Sequence, residues 1–153
     1  MEQVKETERT THRDYAIFNV GDIACGVDIK MVREINRNID ITPVQLAPKY
    51  VRGVINLRGQ IVTVIDMRKK FGMEVRELNK NMRILVVRLG DEDKGLLVDG
   101  VDDISTASSD QVELPPSHIN SNICKYLSGV YKMEQVLVAI VDVNKILKQE
   151  DTS

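Results

Sequence analysis

At 153 residues the chain is long enough for one domain, or for two very small lobes sharing a core, and 42% hydrophobic residues suffice to fill that core. A formal charge of −2, 4% aromatics and no Trp offer neither a basic nor a base-stacking surface, so nucleic acid is a poor partner. Two cysteines without metal spacing, no apolar h-region at the N-terminus and no run near the roughly 20 apolar residues of a membrane helix predict a soluble cytoplasmic protein.

In chain order, residues 1–13 are charged and Thr-rich and are expected to form a disordered arm. Residues 14–20 are β-rich and run into Gly21-Asp22, a turn signal, with 23–27 as the return strand. Ile29, Val32 and Ile35 then sit three apart, which predicts a helical turn or two capped by Asp28. After Pro43 and Pro48, residues 53–57 and 60–65 form a second hairpin around Arg58-Gly59. Asp66 caps a short helix, MRKKF, stopped by Gly72. Residues 73–81 are polar and read as a linker. A third hairpin, 82–89 with 95–101, is expected around GDEDK. Residues 105–122 are polar, contain Pro115-Pro116 and predict a long irregular insertion. A last hairpin, 126–133 with 136–141, leads to a closing helix, VNKILKQE, capped by Asp142, with 150–153 as a tail.

The chain repeats itself. Gly53, Val54, Val62, Asp66 and Lys69 recur 76 positions later as Gly129, Val130, Val138, Asp142 and Lys145, and Gly21, Gly26, Val32 and Ile35 recur 69 positions later as Gly90, Gly95, Val101 and Ile104. Two copies of one unit predict two similar lobes packed together, 14–72 and 82–149, joined by 73–81. Many short strands with only short helices predict a mainly β fold of two small barrels.

Residues suited to chemistry are sparse. His12 and His118 have no neighbour at ligand or triad spacing. Asp99, Asp102 and Asp103 fit no ordinary calcium loop and read as solvated carboxylates. Asp66 and Asp142 follow buried-looking strands, but their equivalence in the repeat and the helices behind them point to capping. Gly53 and Gly129 read as places where the backbone must bend or be approached closely. Arg58 breaks the duplication, because Glu134 answers to it; it is either a solvated cation or a partner-facing guanidinium. Ile29, Val32 and Ile35 are either core or leave one edge in a groove between lobes. No catalytic residue, metal or cofactor is nominated.

The passage GVINLRGQIVTVIDMRKKFG resembles the signature hairpin and helix of the CheW family, the coupling proteins of bacterial chemotaxis. GDIACGVDIKMVREI and KGLLVDGVDDI resemble the matching passages of its two halves, so the resemblance covers about 14–149 in the right order. It implies two five-stranded, SH3-like β-barrels around a shared hydrophobic core. It implies a non-catalytic adaptor, monomeric when free and recruited to receptor arrays at the inner membrane. Its implied partners are the regulatory domain of the histidine kinase CheA and the cytoplasmic tip of methyl-accepting chemoreceptors. Val32, Glu34 and Ile35 match the family's partner-binding segment, and Arg58 its NLRG arginine; with their neighbours they give the candidate partner-binding set Ile29, Val32, Glu34, Ile35, Asn56, Leu57, Arg58 and Gly59. Thr63 and Cys25 depart from the usual Pro and aromatic and read as packing changes. The absence of a receiver domain and a kinase core disfavours the fusion protein CheV and CheA itself.

The rival reading is a small β-barrel that binds a small ligand or nucleic acid. It calls for a basic, aromatic barrel face, which the composition does not offer. A hydrolase or metalloenzyme calls for convergent ionisable groups in a pocket.

Overall fold

Ten strands form among residues 11–148, the part described by the computed structural model of the protein. In chain order the elements are β1 (His12–Val20), β2 (Ile23–Asp28), a 3-10 turn (Ile29–Met31), β3 (Val32–Asn36), β4 (Val51–Leu57), β5 (Gln60–Asp66) and α1 (Met67–Lys70). Next come β6 (Arg83–Leu89), β7 (Glu92–Val98), β8 (Gly100–Ser108), a second 3-10 turn (Ser109–Gln111), α2 (Ser121–Cys124), β9 (Leu127–Met133), β10 (Val136–Val141) and α3 (Val143–Lys148). Asp66 caps α1 as its sequence position predicts, accepting from the amides of Arg68 and Lys69 at 3.0 and 3.3 Å. Asp142 accepts from the Lys145 amide at 3.3 Å.

The strands form two five-stranded sheets. Barrel A has the order β8-β1-β2-β10-β9 and barrel B the order β3-β6-β7-β5-β4. Adding five to each strand number, cyclically, turns one order into the other, so the sequence duplication is a structural one. Neither sheet closes through a continuous ladder. In barrel B the chain beyond β3 turns back, and Thr42 and Val54 exchange amide hydrogen bonds of 2.9 and 2.8 Å; in barrel A Glu113 and Val130 do the same at 2.8 Å each. Gly53 and Gly129 sit at these seams. A Cβ on Gly53 would lie 2.2 Å from the Thr42 carbonyl oxygen, and one on Gly129 would lie 2.7 Å from a Val112 methyl. Close backbone approach, expected from the repeat, is thus why both positions are glycine.

The lobe boundaries read from the sequence need correction. Barrel B is the continuous stretch β3–β7, inserted between β2 and β8 of barrel A. Neither 14–72 nor 82–149 is a lobe: each copy gives strands to both barrels. Residues 73–81 connect β5 to β6 within barrel B, and the chain passes between barrels at 29–31 and at Asp99. Other expectations shift as well. The arm ends sooner, since β1 begins at His12 and pairs it with Ser108; residues 1–10 lie outside the described part, as do the end of the closing helix and the tail. The third hairpin turns at Gly90-Asp91, and Glu92, Asp93 and Lys94 are already in β7. The supposed insertion begins as ladder, because β8 runs on to Ser108 along the edge of β1.

Both faces of the central strands are buried. Along β1, Ala16, Phe18 and Val20 face a core between the sheets, whereas Tyr15 and Ile17 face the interior of barrel A with Tyr131, Val138 and Ile140. Along β6, Leu85 and Val87 join the same central core, whereas Ile84 and Val86 fill barrel B with Ile55, Val62 and Val64. Two-residue alternation between two interiors explains the unbroken apolar runs in these strands. The central core also takes Met67 from α1, Phe71 at its C-terminal cap, and Ile146 and Leu147 from α3. Each such large side chain contributes about 1.5–3 kcal/mol by leaving water, so the shared core binds the barrels into one unit.

A partly buried ion pair pins the barrels at the second crossing. Arg68 on α1 donates through Nε to both oxygens of Asp99 at 3.0 Å, and the Gly21 amide in the β1–β2 turn donates to the same carboxylate at 2.6 Å. Burial pushes the Asp99 pKa up, but the donors from Arg68 and Gly21 outweigh it, and the net shift is downward from 3.8. A carboxyl whose folded value lies below its unfolded one stabilises above the unfolded value and loses that contribution as pH falls through the folded one. The melting temperature is therefore expected to fall as pH drops below about 4. Asp99→Asn should start lower at neutral pH and fall less steeply on acidification; parallel acid limbs for the two proteins would contradict this.

Candidate functional site

The β4–β5 turn is two residues long. Leu57 pairs with Gln60, and Arg58 and Gly59 carry φ of 52° and 84°. Positive φ at both central positions is the hairpin geometry that matches strand twist. The Asn56 side chain accepts from the Gly59 amide at 2.9 Å and holds the turn. Glu134, the repeat equivalent of Arg58, has φ of 57° in the β9–β10 turn. The turn therefore accepts either side chain, and its shape does not account for the arginine.

Barrel closure brings that turn to β3. Arg58 Nη2 donates to Glu34 Oε1 at 2.6 Å across the seam. The Arg58 side chain is 77% exposed and that of Glu34 23%. So exposed a pair is worth only about 0–1 kcal/mol to the fold. What it does is hold a guanidinium at one place on the rim.

The other candidates divide into anchors and exposed groups. Ile29 and Val32 pack against the central core, and Leu57 packs against the interior of barrel B. Ile35, 43% exposed, and Asn56 and Gly59 face solvent. The expected helical turns over 28–35 are one 3-10 turn followed by a strand. Asp28 caps that turn, accepting from the Lys30 amide at 3.0 Å, and Val32, Glu34 and Ile35 lie on β3 opposite β6. A bulge between Val32 and Glu34 shifts the register there. Sequence reasoning missed Ile61, 67% exposed on β5 opposite Asn56. The signal was present, since Val62 and Val64 point inward and leave Ile61 out of phase with the core.

Elsewhere several polar groups are tied into the structure. Asp66, besides its caps, pairs with Arg52 at 2.7 Å. Lys70 is buried with its ammonium 3.8 Å from the centre of the Tyr50 ring. Burial in the central core pushes the Cys25 thiol up to about 12, away from reactivity. Among the described residues no group of three His, Cys, Asp or Glu side chains is placed to hold a metal ion.

The family model described as "CheW-like domain" matches residues 14–151. The chain is 31% identical to the chemotaxis protein CheW of Klebsiella aerogenes over 142 residues, 93% of this chain and 86% of that one. It is 35% identical to CheW of Helicobacter pylori over 134 residues, 87% and 80% of the two chains. Its fold is similar to the crystal structure of the scaffolding protein TtCheW from Thermoanaerobacter tengcongensis, with a TM-score of 0.80, 28% identity and coverage of 89% and 88%. Duplicated barrels and these matches agree: the chain belongs to the CheW family.

Proposed function

We propose that this chemotaxis coupling adaptor binds the regulatory domain of the kinase CheA and the cytoplasmic tip of methyl-accepting chemoreceptors at the same time. The protein is not an enzyme; its work is geometric, with two surfaces held on one rigid body. One surface is the face around β3 and the β4–β5 turn. The observation that carries this is the Glu34–Arg58 pair, which fixes an exposed guanidinium on the rim of barrel B while adding little to stability, with Ile35 exposed on the same strand as Glu34. Arginine and apolar side chains in that arrangement suit a protein interface. Among the described residues no helix is long and apolar enough to cross a membrane, so its place at a receptor array would come from these partners. A barrel that binds a small ligand or nucleic acid is not favoured.

Two substitutions test the face. Arg58→Ala is expected to change stability by no more than about 0.5 kcal/mol, as at most surface positions. It should weaken at least one partner by about 2 kcal/mol, roughly thirtyfold, if Arg58 is buried on binding. Ile35→Glu should do the same from the apolar side. Val32→Glu is a poorer probe, because Val32 packs on the central core and its loss also costs stability. Titration calorimetry with each partner fragment, alongside thermal melts, decides the matter. Unchanged affinity for both partners would return Arg58 to a solvated cation.

A further inference from the structure

Helices α1 and α3 are repeat equivalents that meet the central core with different chemistry. At the offset of 76, Arg68, Lys70 and Phe71 correspond to Asn144, Ile146 and Leu147. The buried face of α3 is apolar, made of Val143, Ile146 and Leu147. On α1, Arg68 reaches across to Asp99, and the Phe71 cap stacks on Tyr126 with ring centres 6.2 Å apart. Between them Lys70 is buried. Its ammonium lies 3.8 Å from the centre of the Tyr50 ring and 5.4 Å from that of Tyr126.

Those two rings are themselves equivalent at the offset of 76. The Tyr50 carbonyl accepts from the Asp66 amide at 2.7 Å, and the Tyr126 carbonyl from the Asp142 amide at 2.8 Å. Tyr50 leads into β4 of barrel B and Tyr126 into β9 of barrel A, and both pack on the central core. One cation thus lies against the same ring from each copy, where the barrels meet. Packing does not ask for a charge there, because the equivalent place on α3 is filled by Ile146, fully buried. Apolar burial is non-directional and does not by itself select one rotation of barrel on barrel. An ammonium drawn to ring faces is directional, and the rings offset part of the cost of taking it out of water.

We propose that Lys70 is a positioning residue of the adaptor: its ammonium, held against Tyr50 of barrel B and Tyr126 of barrel A, sets the angle at which the barrels meet. The proposal rests on the adaptor reading, in which partners bound to one rigid body are kept in one mutual geometry.

Pulsed electron-spin distance measurement on the full chain reads that angle. Nitroxides are placed at Ile61→Cys on barrel B and Ile104→Cys on barrel A, 67% and 60% exposed, in a Cys124→Ala background. Cys25, buried and with its thiol pushed up to about 12, stays unlabelled. Lys70→Met keeps a long side chain and removes the charge. It should melt cooperatively, with a midpoint no more than about 5 °C below wild type. Its distance distribution should widen by about 2 Å or more, the size of a helix shift at a packed interface. Tyr126→Phe keeps the ring face and should retain the wild-type width. With the labels moved to the kinase regulatory domain and the receptor-tip fragment, the ternary complex of Lys70→Met should show the same widening, with each separate affinity within about twofold of wild type. A wild-type distribution in folded Lys70→Met would overturn the proposal and leave the adaptor reading standing, since the labelled chain is measured alone. Loss of the cooperative melt would overturn it by showing that the fold itself needs the charge. Widening in Tyr126→Phe would move the hold from the ring to the hydroxyl, and an unchanged distance between the bound fragments would deny Lys70 any part in positioning them. Failure of the wild-type chain to bind either fragment would remove the adaptor reading, and the positioning role with it.

Discussion

Gly53→Ala is expected to cost about 3 kcal/mol or more, far above the usual surface substitution. The added Cβ would lie 2.2 Å from the Thr42 carbonyl oxygen and 2.8 Å from its carbon. Both are backbone atoms, and both belong to the pair of hydrogen bonds that closes barrel B. The strain can be relieved only by opening the seam, which also separates Glu34 from Arg58. Gly129→Ala should cost less, about 1–3 kcal/mol, because the nearest atom is a Val112 methyl that can rotate away. Gly59→Ala meets nothing within 4 Å, so only its left-handed backbone counts, at about 1 kcal/mol. Urea unfolding of the three variants gives the order directly. Equal losses at Gly53 and Gly59 would show that backbone conformation alone, and not the seam, requires glycine at position 53.

Cutting the chain at Asn79 is expected to abolish folding of both halves. The first half keeps β1 and β2 of barrel A and β3, β4 and β5 of barrel B; the second keeps the complement. Each half therefore has three strands of one barrel and two of the other, and it exposes its share of the central core. At fewer than about 80 residues, a core without its partner is too small to offset chain entropy. Each fragment alone should show no cooperative melt. Mixed in equal amounts they should recover a single transition, as the intact chain should show. A fragment that melts alone with native-like stability would mean that its copy closes on itself.

The hairpins, both aspartate caps and both seam glycines were legible in the sequence because each rests on local chemistry. The exchange of strands between copies was not. The duplication makes β5 and β10 near-equivalent, so β2 could pair with either, and only the connection lengths and the central core choose β10. The spacing of Ile29, Val32 and Ile35 misled for a related reason. A 3-10 turn running into a bulged strand puts Ile29 and Val32 on the core at helical spacing, whereas Ile35 is exposed. The end of β8 was hidden by its polarity, because an edge strand that pairs with His12, Arg13 and Asp14 has no apolar alternation to show there. For the site, composition and spacing offered Arg58 as an anomaly in the repeat. Glu34 was nominated by family resemblance alone, since its contact with Arg58 exists only after barrel B has curled shut.

The central claim is that two partners are held at once on separate surfaces. Analytical ultracentrifugation of the full chain with the kinase regulatory domain and the receptor-tip fragment tests it most directly. The expected result is a binary complex with each fragment and a ternary complex when all three are mixed, with Arg58→Ala removing one binary complex and sparing the other. Binding to neither fragment, or strict competition between them for a single place on the chain, would contradict it.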